Sequence, residues 1–176
     1  MKILKTAICF VFVAVMSTAC QDSKEKLTEK IKTTEQEIST DFSKKEKREQ
    51  LVDLYKEYVS RFPKDSLAAE YLFKSATLYV SLRKGDEALS AFTNLINRYP
   101  KSDYLPQAYY YIGFVYEDVI YDIIAAKVAY TNFIEKYPYH ELVNDAKLSI
   151  RYLGKSPQEI VDSFEKEETN IITDKE

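Results

Sequence analysis

Residues 62–100 read FPKDSLAAEYLFKSATLYVSLRKGDEALSAFTNLINRYP, and residues 99–138 restart the same phrase as YPKSDYLPQAYYYIGFVYEDVIYDIIAAKVAYTNFIEKYP. An aromatic followed by Pro recurs at Phe62-Pro63, Tyr99-Pro100 and Tyr137-Pro138, with the prolines 37 and 38 residues apart. Self-similarity at that period marks a stacked repeat, in which each unit is a supersecondary element that buries its apolar face only against its neighbours. In the first unit, residues 67–82 carry helical periodicity, and Lys84-Gly85-Asp86 reads as a turn in which Gly85 supplies the C-terminal cap. Residues 87–98 form the second helix, with Ala88, Phe92, Leu95, Ile96 and Tyr99 apolar. The second unit follows with residues 105–119 and 124–137, where Ala126, Tyr130, Phe133, Ile134 and Tyr137 keep the spacing and Thr93-Asn94 recurs as Thr131-Asn132. The fold class is all-α, built from antiparallel helix pairs closed by Pro.

Leu72, Ala76, Tyr79, Ala88, Phe92 and Pro100, then Tyr109, Ile112, Gly113, Tyr116, Ala126, Tyr130 and Pro138, resemble the tetratricopeptide repeat (TPR). That family sets bulky, Leu-like, small, Tyr, small, aromatic, small and Pro positions in fixed order, and the second set here has one residue inserted in its internal turn. The small residue at Ala76 or Gly113 lets the paired helices approach, Ala88 or Ala126 is the facing contact, and the aromatics fill the gap to the next unit. The departures are Ser75 where a Leu-like residue is usual, Leu95 and Phe133 where a small one is usual, and units about three residues longer than the usual 34. Longer units resemble the periplasmic and outer-membrane branch of the family. That branch includes the TPR lipoprotein of the β-barrel assembly machinery and the Tol-Pal-associated TPR protein, and the closing segment is similar to TPR lipoproteins of the Bacteroidetes type. The resemblance implies a TPR-like right-handed helical solenoid of antiparallel helix pairs, with two full repeats plus partial capping units.

The ends of the array are read separately. Residues 46–62 carry Leu51, Leu54, Tyr55, Tyr58, Val59 and Phe62 as one stripe, which fits the second helix of a unit lacking a recognisable first helix. Residues 142–153 are a helix ended by Gly154, and Ser156-Pro157-Gln158-Glu159 opens another with a capping box, docked by Ile160, Val161 and Phe164. The TPR-like domain is expected over 46–165, with 166–176 a charged, frayed tail.

Ahead of the domain, Lys2 and Lys5, an apolar stretch over residues 8–16 and Ser17-Thr18-Ala19 before Cys20 read as an export signal over residues 1–19. The apolar stretch falls short of the roughly 20 residues that span a bilayer. Small residues before a Cys at this distance resemble a bacterial lipobox, which implies lipidation at Cys20. Ser17 stands where the family usually has Leu or Val, and ordinary cleavage after Ala19 is the alternative. Gln21 follows the Cys, which within such families favours the outer membrane, so the expected location is the cell envelope, lipid-anchored to the outer membrane and facing the periplasm. Residues 20–45 alternate charge around Leu27, Ile31, Ile38 and Phe42, and read as a solvated stalk or a weak amphipathic helix lying on the membrane or the domain.

The composition excludes function classes. The chain holds 25 Lys+Arg against 28 Asp+Glu, one His, two Cys and 3 Gly. It lacks the basic excess of a nucleic-acid binder, the clusters of a metal or acid/base centre and the glycines of a phosphate cradle. No catalytic residue, metal or cofactor is expected, and no small-molecule substrate. His140 reads as an exposed loop histidine, and Glu117, Asp118 and Asp122 as a solvated turn. Three consecutive tyrosines, Tyr109-Tyr110-Tyr111, cannot all enter one core face, because successive helical positions are about 100° apart.

The resemblance implies a partner-binding groove lined by the first helix of each unit: Glu70, Phe73 and Thr77, then Gln107, Tyr110, Phe114 and Glu117, with Leu148 and Tyr152 from the capping unit. Tyr and Phe with a few polar groups suit a protein or peptide partner in the envelope. The other possibility is that the N-terminal segment or a neighbouring unit covers these rings. The expected function is a TPR interaction scaffold without chemistry of its own. A fixed structural subunit of an outer-membrane protein assembly machine is the alternative, and a helical enzyme the distant one.

Overall fold

The computed structural model describes residues 23–163, and within them all regular secondary structure is helical. Residues 1–19, read above as an export signal, Cys20, Gln21, Phe164 and residues 166–176 lie outside the described residues. The chain divides between Ser102 and Asp103 into two compact units.

The first unit comprises α1 (residues 23–40), α2 (Lys45–Arg61), α3 (Ala68–Ser81) and α4 (Gly85–Arg98). The solvated-stalk reading of the segment before residue 46 is corrected here, because α1 is a packed helix. Leu27, Ile31, Thr34 and Ile38 recur at steps of four, three and four, and their exposures are 5%, 0%, 4% and 6%. Thr34 can join this stripe because its hydroxyl donates to the Lys30 carbonyl at 2.8 Å. Phe42 is 55% exposed and takes no part. Polar contacts tie α1 to the unit: Lys24 pairs with Asp65, Lys47 with Glu37 at 2.7 Å, and Glu35 accepts from both the Tyr55 hydroxyl at 2.6 Å and Lys74 at 2.9 Å. The half-repeat 46–62 therefore has its first helix. Between α2 and α3, Tyr71 stacks on Tyr55 at 5.1 Å and takes Tyr58 edge-on at 4.7 Å.

The second unit comprises α5 (Leu105–Phe114), a π-helical turn (Val115–Ile120), α6 (Ile123–Lys136), α7 (Val143–Tyr152) and α8, described over 157–163. Its core is Tyr130, Phe133, Val143 and Ala146. Ser156 and Glu159 form the expected reciprocal cap: Glu159 accepts from Ser156 N–H at 2.7 Å, and Ser156 Oγ from Glu159 N–H at 3.3 Å. Ile160 is half-buried, but Val161 is 49% exposed and does not dock.

The aromatic-Pro junctions share one geometry. Phe62, Tyr99 and Tyr137 have φ of −127°, −127° and −130° with ψ of 55°, 60° and 59°. A residue before Pro is excluded from the α region, so each helix stops there. Each junction carbonyl then accepts from the N–H three residues on, Asp65, Ser102 and His140, at 3.0, 3.0 and 3.1 Å.

The turns inside the pairs differ from the sequence reading. Arg83, with φ 59°, is the left-handed residue that ends α3, while Gly85 is the first residue of α4. The reason is a Schellman closure, with Lys84 N–H on the Tyr79 carbonyl and Arg83 N–H on the Val80 carbonyl, both at 2.9 Å, which leaves Arg83 in the αL position. In the second unit the same closure runs from Asp122 N–H to the Tyr116 carbonyl at 2.8 Å, one residue longer, and Tyr121 at φ 65° takes the place of Arg83. The inserted residue is thus absorbed inside the first helix as a π turn, not in the loop. Asp122 caps α6 by accepting from Ala125 N–H at 2.9 Å.

Candidate functional site

In α3, Glu70, Phe73 and Thr77 follow at helical steps of three and four and are all half-buried. Glu70 pairs with Lys74 at 2.8 Å, and the Phe73 ring meets Phe92 at 5.9 Å. The Thr77 hydroxyl turns back to the Lys74 carbonyl at 2.9 Å. Lys74 was missed by the sequence reading. It bridges Glu70 on its own helix and Glu35 on α1; burial pulls its ammonium pKa down, and the two carboxylates more than offset that.

In the second unit the predicted residues have mixed fates. Tyr110 and Phe114 pack against the buried cluster, with Tyr110 at 5.5 Å from Tyr130 and 5.7 Å from Phe133. These two rings have a core role as well as any surface role, and burial raises the Tyr110 phenol pKa, helped by Asp145 and Glu117. Glu117 accepts from the Tyr130 hydroxyl at 2.6 Å, which makes it a structural partner of the core. Burial first, then this carboxylate, pushes the Tyr130 phenol far up, so it stays a donor. Gln107 behaves differently: its Oε1 is buried with no hydrogen-bond partner among the described residues. Leu148 is 48% exposed, and Tyr152 is half-buried with Arg151 and Lys155 over its ring at 5.6 and 5.5 Å. Tyr109, Tyr110 and Tyr111 are all half-buried; none is wholly core or wholly solvent.

The loop positions resolve cleanly. His140 is half-buried, not exposed: its ring meets Phe133 edge-on at 5.7 Å and its Nδ1 accepts from Leu142 N–H at 3.2 Å. Asp65, at the same place after Pro63, accepts from Leu67 N–H at 3.0 Å and from the Tyr58 hydroxyl at 2.9 Å. Burial pushes the Asp65 carboxyl up, but Lys24, the Leu67 N–H and Tyr58 outweigh it and hold the pKa below the usual value. Both side chains therefore serve the entry to the next helix.

Paired helices with a shared closure, small residues at Ala76 and Gly113, and buried aromatics at Phe92 and Tyr130 define the repeating element. Residues 70–102 match the family model for the tetratricopeptide repeat. No curated protein matches the chain. The matched TPR span runs from Glu70 in α3 to Ser102 beyond α4, and α5–α6 repeat its junction and closure bonds. A TPR unit is a protein-interaction module, so the residues above are weighed as contacts for a polypeptide.

Proposed function

We propose that the chain is an envelope lipoprotein, anchored at Cys20 to the outer membrane, that holds a protein or peptide partner on the inner helices of its TPR units. The supporting observation is Gln107. Its Oε1 is buried and unpaired among the described residues, which costs about 1–3 kcal/mol, and turning the half-buried side chain outward would let it accept from a backbone N–H of an extended segment. Exposed Leu148 and half-buried Tyr152 on α7 give apolar contact in the same unit, and Glu70, Phe73 and Thr77 provide the corresponding surface in the first. Tyr110 and Phe114 pack on the buried cluster of the second unit and are half-buried, so part of each ring is left for a partner.

Photo-crosslinking residues placed singly at Phe73 on the first unit, and at Gln107 and Leu148 on the second, in the full membrane-bound chain should each capture a polypeptide partner, while a probe at Asn97 on α4 should not. Gln107→Leu should weaken capture about tenfold with unchanged helix content. Equal capture from Asn97 would place the partner elsewhere.

The anchor is tested independently. Labelled palmitate should enter the wild-type chain and not Cys20→Ser; equal labelling of the two proteins would rule out lipidation at that residue.

A further inference from the structure

Among the described residues, exposed large apolar side chains concentrate at the start of α6: Ile120, Tyr121, Ile123, Ile124 and Val128 are 37%, 70%, 47%, 81% and 65% exposed. The first repeat supplies an internal control. At the equivalent positions, 38 residues earlier, it has Leu82, Arg83, Gly85, Asp86 and Ser90. Both second helices have 14 residues and bury the same face, through Ala88, Phe92 and Leu95 in α4 and Ala126, Tyr130 and Phe133 in α6. Ile123 lies against its own unit, its Cδ1 3.0 Å from where a Cβ on Gly154 would stand. Ile124 and Val128, however, replace Asp86 and Ser90, so a helix pair of this kind folds with polar residues at those two sites and the exposed apolar pair serves something other than its own unit.

Its pattern is that of a helix seam. Ile124, Val128, Thr131 and Glu135 are all exposed and fall at steps of four, three and four, with Lys127 and Asn132 beside them. Charge selects the occupant. A parallel copy of α6 would set Lys127 against Lys127 and Glu135 against Glu135. An antiparallel copy centred between Val128 and Thr131 sets Val128 on the copy's Thr131 and Ile124 along the stem of its Glu135. Lys127 then lies about 4.5 Å along the axis from the copy's Glu135, within reach of its side chain. The two-fold arrangement makes each contact twice.

We propose that the outer face of α6 is a self-association surface, on which a second copy of this chain docks with its own α6 antiparallel. The surface is distinct from the inner-helix residues assigned to partner binding and does not depend on that reading. A 14-residue helix is about 21 Å long, and one such face falls short of the roughly 800 Å² per partner of a standard interface. The dimer is accordingly weak, with a dissociation constant on the order of 10–100 µM.

Sedimentation equilibrium of the purified full chain in a mild non-ionic detergent, over a concentration series, should show reversible dimerisation. Val128→Asp, at an exposed site, should weaken it more than about tenfold with an unchanged circular dichroism spectrum. Lys127→Glu alone should weaken it about fivefold, and Lys127→Glu combined with Glu135→Lys should restore it. The charge swap is informative whatever Val128→Asp does to the fold, because only antiparallel self-pairing predicts the rescue. A chain that stays monomeric to about 1 mM, a dimer indifferent to these changes, or capture of a different protein by this face without self-association would each overturn the proposal.

Discussion

Gly113→Leu is expected to destabilise the second unit by about 3 kcal/mol, and Gly113→Ala by a smaller but measurable amount. A Cβ on Gly113 would lie 2.6, 2.7 and 2.8 Å from three ring carbons of Tyr130, distances that no packed side chain tolerates. The ring cannot move aside easily. It is fully buried, its hydroxyl is held by Glu117 at 2.6 Å, and Tyr110 lies against it. Two effects oppose each other in the Ala variant. Replacing a helical Gly gains about 1 kcal/mol in propensity, while overpacking costs about 1–3 kcal/mol, so the clash prevails. Leu adds three further carbons to the same space. Thermal melts should show a fall of roughly 6–12 °C for Leu in a chain of this size, and an unchanged midpoint would mean that the α5–α6 register is wrong.

Ile31→Ala is expected to cost the first unit about 2–5 kcal/mol. Ile31 is fully buried although it lies in a segment where charged residues dominate. The comparison that decides the matter is Phe42→Ala, a larger truncation at a residue 55% exposed, whose contact is Arg48 stacked at 4.7 Å; it should cost less than about 1 kcal/mol. Urea unfolding of the two variants beside wild type checks the pair. If both substitutions stay within about 0.5 kcal/mol of wild type, α1 contributes nothing and the segment behaves as a stalk.

Both expectations show where sequence reading succeeds and where it stops. The Gly113 prediction was available from the sequence, because a small residue at the same step as Ala76 in a matching repeat has one structural meaning. The coordinates add which atoms collide. For α1 the stripe Leu27, Ile31, Ile38 was visible, but its burial was not, since three apolar residues among many charges fit a surface helix as well as a packed one. Thr34 completes the stripe by bonding its own backbone, a local event that composition does not signal. Tyr110 and Phe114 illustrate the same limit. Helical spacing placed them off the face of Ile112, Gly113 and Tyr116, yet the cluster around Tyr130 and Phe133 is broad enough to reach them. The outer stripe of α6 is written in the sequence at steps of four, three and four, but it stands out only once burial shows that Ile124 and Val128 face away from their unit.

What the sequence determined by itself is the all-helical repeat, its 37- and 38-residue period and the helix boundaries at the three Pro junctions and at Ser156, because Pro, its preceding aromatic, and the capping box act through local backbone sterics that operate in any context. The left-handed caps and the housing of the extra residue are local backbone closures that residue types by themselves did not reveal. Tertiary structure alone decided which aromatics are core and whether α1 belongs to the domain. Each of those depends on a balance between two nearly equal placements of the same side chain or helix. That balance is set by the neighbours a residue meets after the helices stack, here the Tyr130 ring and the α2–α3 aromatics, none of which lies next to it in the chain.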